Sequence, residues 1–580
     1  MSRRIYGIEN YARGEILAVD NEGYLALVLN GHKIRLKEIM DMHNLDVAYI
    51  RVLPAIKRSM AITHEAFKLV SNAMNFHGRF TPIFPMKVNS VPMVIESIMR
   101  FGEEYNWGFN AGSIGEVRLL QGIAVKYSPR TLVYDGVVTD NAIEELLKLH
   151  RIGWRVIVDI ESLSEAEIIS RYPQLEVGIR VKPLVKMHGK WSGSIGVGGK
   201  FGLTTNTIAR LKEEFKWILD RATLLHMHPG SQIYKLKDIK NYFDEVRNVY
   251  DQLKSAGFEK ISSIDPGGGM GYPYLDIRDG DEESPDYTIV DYYRELINQF
   301  RDMEHPPDII YEGGRFIVTS HRIVVAKVID VRPYSAVHTP TYSQEITKDI
   351  NNIEDVKKLL DHLEASLSRM RAESHGFDNG KRELYENLVA ILREDLSTKI
   401  AELLVNGKTN TEELLADKRI LKVLTTPTKR FILNMSIFAD IPDAVLVDQY
   451  FQVVPVQRLD EQPSVLASLS DLTCDSMGEI SLYISPGNTS PGDSPLFTTM
   501  DNKLILLPGV KLKLRGVPLH LPTRGENYYV AFLDTGSYQD MLAMKHNLIY
   551  GAPEIIVDYV NGEVSIKLIK HEDLYQSYHL

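Results

Sequence analysis

Lys87 stands in the run Phe84-Pro-Met-Lys-Val-Asn89, directly after Thr81-Pro-Ile-Phe84, which reads as the end of a strand. An amine at a strand end can point into a site, and beside an aldehyde cofactor it forms a Schiff base. On residue type alone a solvated surface lysine is the commoner outcome, so the reading depends on what else stands nearby. His226 and His228 lie two apart in Leu225-His-Met-His-Pro-Gly-Ser231, which puts both on one side of a strand. They fit a metal pair or packed, stacking imidazoles, and the lack of a Cys or carboxylate cluster beside them favours the second. Gly267, Gly268 and Gly269, in Asp265-Pro-Gly-Gly-Gly-Met-Gly271, make either a plain turn or a corner of bare N–H groups suited to a phosphate. Glu312 and Arg315, in Glu312-Gly-Gly-Arg315, make either an ion pair or a carboxylate beside a phosphate-binding guanidinium. Cys474 is the sole cysteine, and the Asp475 that follows makes burial in an apolar core less attractive.

These residues need a frame that brings them together. Between about residues 60 and 330, short β-rich runs alternate with helical patterns, as in βαβ units with a parallel sheet. Eight candidate strands end near Met86, Asn110, Asp135, Asp159, Lys182, His228, Asp265 and Glu312. Amphipathic stretches lie between them, among them Val91 to Met99, Ile114 to Leu120, Asn141 to Leu149 and Leu236 to Leu253. Eight such pairs predict an α/β fold with a (β/α)8 barrel, whose catalytic groups gather at the C-terminal ends of the strands. The loop after strand seven is a frequent phosphate position there.

The flanks differ in period. Residues 1–58 contain short strands, and 423–580 are again β-rich. Together with the linker 331–345 they are expected to make a β-barrel or sandwich domain, with the barrel at 59–330. From 346 to 422 apolar residues recur at three and four, as at Ile353, Val356, Leu360 and Leu363, or Leu396, Ile400 and Leu403. That predicts a helical insertion of structural or oligomeric use.

The 580 residues are enough for more than one domain. A net charge of −11 argues against a general nucleic-acid binder and is compatible with a cationic small substrate. A single cysteine permits no disulfide within the chain and points to a reducing compartment. No apolar run reaches the length of a signal peptide or a membrane span, so the cytoplasm is expected.

The ordered motifs resemble the fold-type III pyridoxal-phosphate (PLP) decarboxylases, and among them the biosynthetic arginine decarboxylases most. They are PMKVN around Lys87, FNAGSIGE from Phe109, KFGL from Lys200 and HMHPGSQ from His226. DPGGGMG from Asp265, EGGR from Glu312, LTCDSMG from Leu472 and GSYQD from Gly536 follow. The resemblance runs from about residue 45 to 560, and the helical insertion is similar to that of arginine decarboxylases.

It implies PLP as cofactor, with Lys87 as the Schiff-base lysine and His228 stacked on the ring. It puts Glu312 at the pyridine nitrogen, and Ser231, Gly267, Gly268, Gly269, Gly313, Arg315 and Tyr538 around the cofactor and its phosphate. It implies a homodimer in which Cys474 and Asp475 reach the neighbouring subunit's site, Cys474 as proton donor, while Asp448 lies near the substrate's distal cation. The implied reaction is decarboxylation of L-arginine to agmatine in polyamine biosynthesis. Lysine, ornithine or meso-diaminopimelate is the alternative substrate, and a catalytically impaired PLP-binding homologue a further alternative. Magnesium dependence is common in the family, but no ligand cluster in the sequence places an ion. The glycine-rich run Met187 to Gly199 suits a mobile lid. One position departs from the pattern: Asn110 stands where these families carry Asp or Glu near the lysine.

Overall fold

In the computed structural model, residues 6–8, 16–185, 188, 196, 198–275, 280, 283–334, 346–373, 380–390, 392, 395–484, 499–500, 503–504 and 513–569 are described. Most of the proposed lid, Met187 and 189–195, lies outside them.

The chain begins with β1 (Leu17–Val19), β2 (Leu25–Leu29) and β3 (His32–Arg35), followed by β4 (Val47–Val52). The barrel comes next. Its strands are β5 (Phe80–Pro85), β6 (Gly108–Ala111), β7 (Thr131–Tyr134), β8 (Arg155–Ile160), β9 (Glu176–Arg180), β10 (Ala222–His226), β11 (Ser263–Asp265) and β12 (Asp308–Glu312). They pair in sequence order, all parallel, and β12 closes onto β5 with Glu312 opposite Ile83. The eight predicted strand ends agree with these to within about two residues.

Alternation along the strands sets aside one inward layer, Ile83, Val133, Ile157, Leu224 and Ile310, as a separate apolar cluster inside the barrel. The outward residues join the main core under the surrounding helices. Three of those helices start where the sequence places a hydroxyl three residues before an acid. Ser113 accepts from Glu116 N, Ser162 from Glu165 N, and Thr288 forms a reciprocal box with Asp291. Each such cap is worth about 1 kcal/mol.

After the barrel, the twelve-residue β13 (Arg322–Pro333) serves two partners. Its first half lies between β4 and the strand Tyr529–Phe532. Beyond a register shift at Val328–Asp330 it pairs with β14 (Lys429–Leu433). The result is a ten-stranded mixed sheet beside the barrel. The N-terminal strands enter it differently from the expectation. β1, β2 and β3 form their own three-stranded sheet, docked by Leu25 N to Val456 O, and only β4 is hydrogen-bonded into the large sheet. Between β13 and β14 helices run over Ile353–Glu373, Lys381–Ala390, Leu396–Val405, Thr411–Ala416 and Lys418–Thr425. Ile353, Val356, Leu360, Leu396, Ile400 and Leu403 form their own core. Among the described residues no helix is long and apolar enough to cross a membrane.

Candidate active site

Lys87 sits in a single 3-10 turn, Met86–Val88, hung on the end of β5. Met86 and Val88 are buried and anchor the turn, while the lysine side chain is reached by solvent through a cavity. That cavity, open to solvent, is lined by Lys87, His228, Ser231, Gly268, Gly269, Glu312, Gly314, Arg315 and Tyr538. It adjoins a larger cleft that shares Lys87, His228, Gly230 and Ser231 and adds Glu116, Asp135, Glu161 and Arg180. The ends of all eight barrel strands and a segment of the second domain thus meet at one mouth.

Glu312, the last residue of β12, is 1% exposed. His226 Nε2 lies 3.2 Å from its Oε1 and His228 Nε2 lies 3.4 Å from its Oε2. Among the described residues neither carboxylate oxygen has a donor in hydrogen-bonding geometry, a costly state for a buried anion. Burial alone would raise its pKa, but His228, His226 and Lys87 hold it well below the usual carboxylate range. Behind it His226 Nδ1 is 2.6 Å from Asp159 Oδ2. Burial opposes charge on this imidazole, yet Asp159 and Asp265 raise its pKa well above the ordinary value. Burial pushes the Asp159 and Asp265 carboxyls up in turn, so a proton is retained in the cluster next to Glu312. His226, Asp265 and Glu312 also lie close enough together to contact one ion, a grouping that linear order hides. His228 is different. Burial lowers its pKa and the ring stays neutral, with Nδ1 accepting from Gly230 N at 3.0 Å.

The glycine corner follows β11. Gly267 (φ 69°) and Gly269 (φ 84°) occupy the left-handed region, and a Cβ on Gly268 would come within 2.7 Å of the Glu312 carbonyl oxygen. Gly267 lies behind His228, and Gly313 packs on the Trp107 ring, so neither lines the cavity; Gly314 does. Arg315 starts the short helix Arg315–Val318, donates from Nη1 to the Tyr274 hydroxyl at 2.7 Å, and has its guanidinium 4.8 Å from the Tyr538 ring centre. Tyr538 comes from the second domain with a left-handed backbone (φ 66°), and its N–H donates to Val88 O at 2.7 Å. Cys474, Asp475 and Asp448 do not line either cavity. Cys474 is exposed, with Sγ 3.5 Å from Asn547 Oδ1, Asp475 is 3.8 Å from His546, and Asp448 is exposed.

Asn110, on β6, is buried and its Nδ2 has no hydrogen-bond partner among the described residues. Enclosure disfavours the Lys87 ammonium, but Glu312 and then Asp135 outweigh it and raise the amine's pKa above the ordinary lysine value. Asp135, Glu116, Arg180 and Tyr274 are site residues that sequence reasoning missed. Asp135 carried a signal in its place at a predicted strand end, and Glu116 in closing the FNAGSIGE motif.

The arrangement can hold a small aromatic ring with a phosphate at one end. The orphaned Glu312 carboxylate suits a protonated ring nitrogen, His228 offers a flat neutral face, and the bare Gly268–Gly269 corner with Ser231 and Arg315 suits the phosphate. Residues 61–319 match the family "Pyridoxal-dependent decarboxylase, pyridoxal binding domain". A biosynthetic arginine decarboxylase of Geobacter sp. (strain M21) is 28% identical over 94% of this chain and 86% of its own length. One from Bacteroides thetaiotaomicron is 28% identical over the same shares. The crystal structure of the biosynthetic arginine decarboxylase from Campylobacter jejuni superposes with TM-score 0.74 at 23% identity, covering 99% of this chain and 92% of that one. A diaminopimelate decarboxylase from M. jannaschii in complex with L-lysine gives 0.61 at 16% identity, covering 97% of each.

The fold is that of the PLP-dependent decarboxylases, whose pyridoxal-binding domain residues 61–319 match. Within that class the chain is similar, along nearly its whole length, to the biosynthetic arginine decarboxylases.

Proposed function

We propose that this protein decarboxylates L-arginine to agmatine and CO₂, with PLP held at Lys87, as a step of polyamine biosynthesis. The observation that carries the chemistry is Glu312: a buried carboxylate without a donor faces the same cavity as the Lys87 amine. The names of the full-length relatives carry the substrate. Bound PLP supplies an electron sink for the pair left on Cα when CO₂ departs.

Each side chain then has a task. Lys87 Nζ would hold the cofactor through its aldehyde. Glu312, kept anionic by the imidazoles around it, keeps the pyridine nitrogen protonated. His228 packs on the ring as a neutral imidazole. Ser231, the Gly268–Gly269 corner, Arg315 and Tyr538 bind the phosphate, with Gly267 behind His228, and Gly313 holds the wall against Trp107.

Cys474 and Asp475 are assigned to the neighbouring subunit's site in a homodimer, and Asp448 to the substrate's distal cation. Cys474 returns the proton to Cα, while Asp475 and Asp448 pair with the distal guanidinium, which a carboxylate can bind bidentately. The exposure of Cys474, away from its own chain's Lys87 cavity, supports this division. We assign the barrel to 59–330, the helical insertion to 346–422 and the β domain to 1–58, 331–345 and 423–580, in a cytoplasmic enzyme. The test is purified protein with PLP offered arginine, lysine, ornithine and meso-diaminopimelate, with and without magnesium, and the product amine identified by mass. Agmatine as the main product is expected; cadaverine, putrescine or lysine in its place overturns the substrate.

A further inference from the structure

The cleft contains a carboxylate that the motifs do not announce. Asp135 follows β7, one strand along from Asn110 on β6, and its N–H is bonded to Ala111 O at 3.1 Å. A Cβ on Gly136 would collide with the Gly112 carbonyl oxygen, so the glycine allows the two strand ends to close on each other and brings Asp135 over the end of β6. Asp135 Oδ2 is 3.1 Å from Arg180 Nη1, which also reaches Glu161 Oε1 at 2.7 Å. Glu161 in turn accepts from Gly202 N at 2.7 Å. The carboxylate is therefore fixed from β9 and the loop after it, and it lines the same cleft as Lys87.

We propose that Asp135 supplies, beside Glu312, the second negative charge that favours a cationic Lys87 nitrogen, the part that Asn110, as an amide, cannot play. The inference rests on the PLP reading above. The charged and titratable groups around Lys87 are Glu312 from β12, His228 after β10, Arg180 from β9, Glu116 from the helix Ile114–Ala124, Tyr538 from the second domain and Asp135. Glu312 acts on the lysine from the β12 side, with His226 and His228 nitrogens 3.2 and 3.4 Å from its oxygens. Glu116 accepts from Gly112 N, and burial pushes its carboxyl up toward the neutral form. Arg180 is cationic and His228 neutral. Asp135 is the acidic side chain left facing the lysine from the β6–β7 side. After Glu312 it is the larger contribution raising the lysine's pKa. The charge has moved across one strand pair, and the site remains equipped for catalysis.

The experiment is a charge exchange read by pH titration of the cofactor's long-wavelength absorption in the PLP-loaded full-length protein. The midpoint should fall by about one pH unit in Asp135→Asn, with kcat following the same shift on its pH profile, and Asn110→Asp added to that variant should restore it. A loaded, folded Asp135→Asn protein with the wild-type midpoint overturns the proposal. Should Asp135→Asn not fold alone, Asn110→Asp is compared with the double variant Asn110→Asp, Asp135→Asn. A lower midpoint in the double supports Asp135, and equal midpoints overturn it. The same comparison in the cofactor-free protein, by acetic anhydride labelling of Lys87 against pH and mass spectrometry, must move in the same direction. A wild-type protein that takes up no PLP sinks the cofactor reading itself, a result distinct from a normal absorption band that ignores position 135.

Discussion

Asn89 Nδ2 donates to Asp540 Oδ2 at 2.7 Å and to Gly536 O at 2.9 Å, which ties the turn carrying Lys87 to a segment more than 440 residues away in the chain. Asp540 is in turn gripped by Arg51 through Nη2 at 2.8 Å and Nη1 at 3.0 Å, and Arg51 also pairs with Glu554. The amine from the barrel and the tyrosine from the second domain are thus set in register by one buried ionic cluster. Tyr538, two residues before Asp540, could not hold its left-handed backbone without such support.

That cluster makes stability depend on pH with a definite sign. His321 accepts at Nε2 from Arg51 across 3.3 Å and donates Nδ1–H to Val318 O; burial and then Arg51 push its pKa down to about 3 from an ordinary 6.5. The unfolded chain therefore binds the proton more readily between those values. Stability is lost as pH falls from about 6.5 towards 3, by about 5 kcal/mol in all. Asp540, depressed by Arg322 and Arg51, loses stability in the same direction at lower pH. Asp440, raised by burial to about 6, acts oppositely between its ordinary value and 6. Thermal midpoints measured from about pH 4 to 8 should fall steeply on the acid side, and His321→Gln should flatten that limb. An unchanged slope in His321→Gln would refute the assignment.

Lys87→Ala should leave the barrel folded, because its neighbours Met86 and Val88 carry the packing. The variant should lose the yellow absorption of PLP-treated protein and on the order of 10³-fold or more of turnover. The absorption spectrum checks the first point, and retention of the wild-type band would remove Lys87 from the cofactor site.

Glu312→Gln takes away the anion while keeping the shape. PLP should still bind, with decarboxylation slowed by roughly 10²- to 10³-fold, as for loss of one preorganised electrostatic group. Single-turnover kinetics separate this from weaker binding. A rate near wild type would mean that the ring nitrogen does not depend on this carboxylate.

Cys474→Ala should retain the cofactor and impair turnover or misdirect protonation of the product. Mixing it with Lys87→Ala under verified subunit exchange should recover up to about a quarter of wild-type activity if each site draws on two chains, as random pairing of the two variants dictates. No recovery counts against a shared site.

The eight strands, the loaded strand ends and the motif order were legible in the amino-acid sequence. Parallel βαβ units repeat a local hydrophobic rhythm, and glycines, prolines and capping residues mark where each unit ends. Lys87, His228, Glu312 and Arg315 were found because each sits at such a boundary. Tertiary structure alone decided what faces what. Linear order could not tell that β1–β3 stay out of the large sheet, that Gly314 rather than Gly313 lines the cavity, or that Cys474 lies away from its own chain's Lys87. Nor could it show Asp135 and Arg180 converging beside Asn110. Strand periodicity is a property of neighbours in the chain. The charge around Lys87 is a sum over side chains from six elements, fixed only when the barrel closes and its low-dielectric mouth brings them within reach of one another.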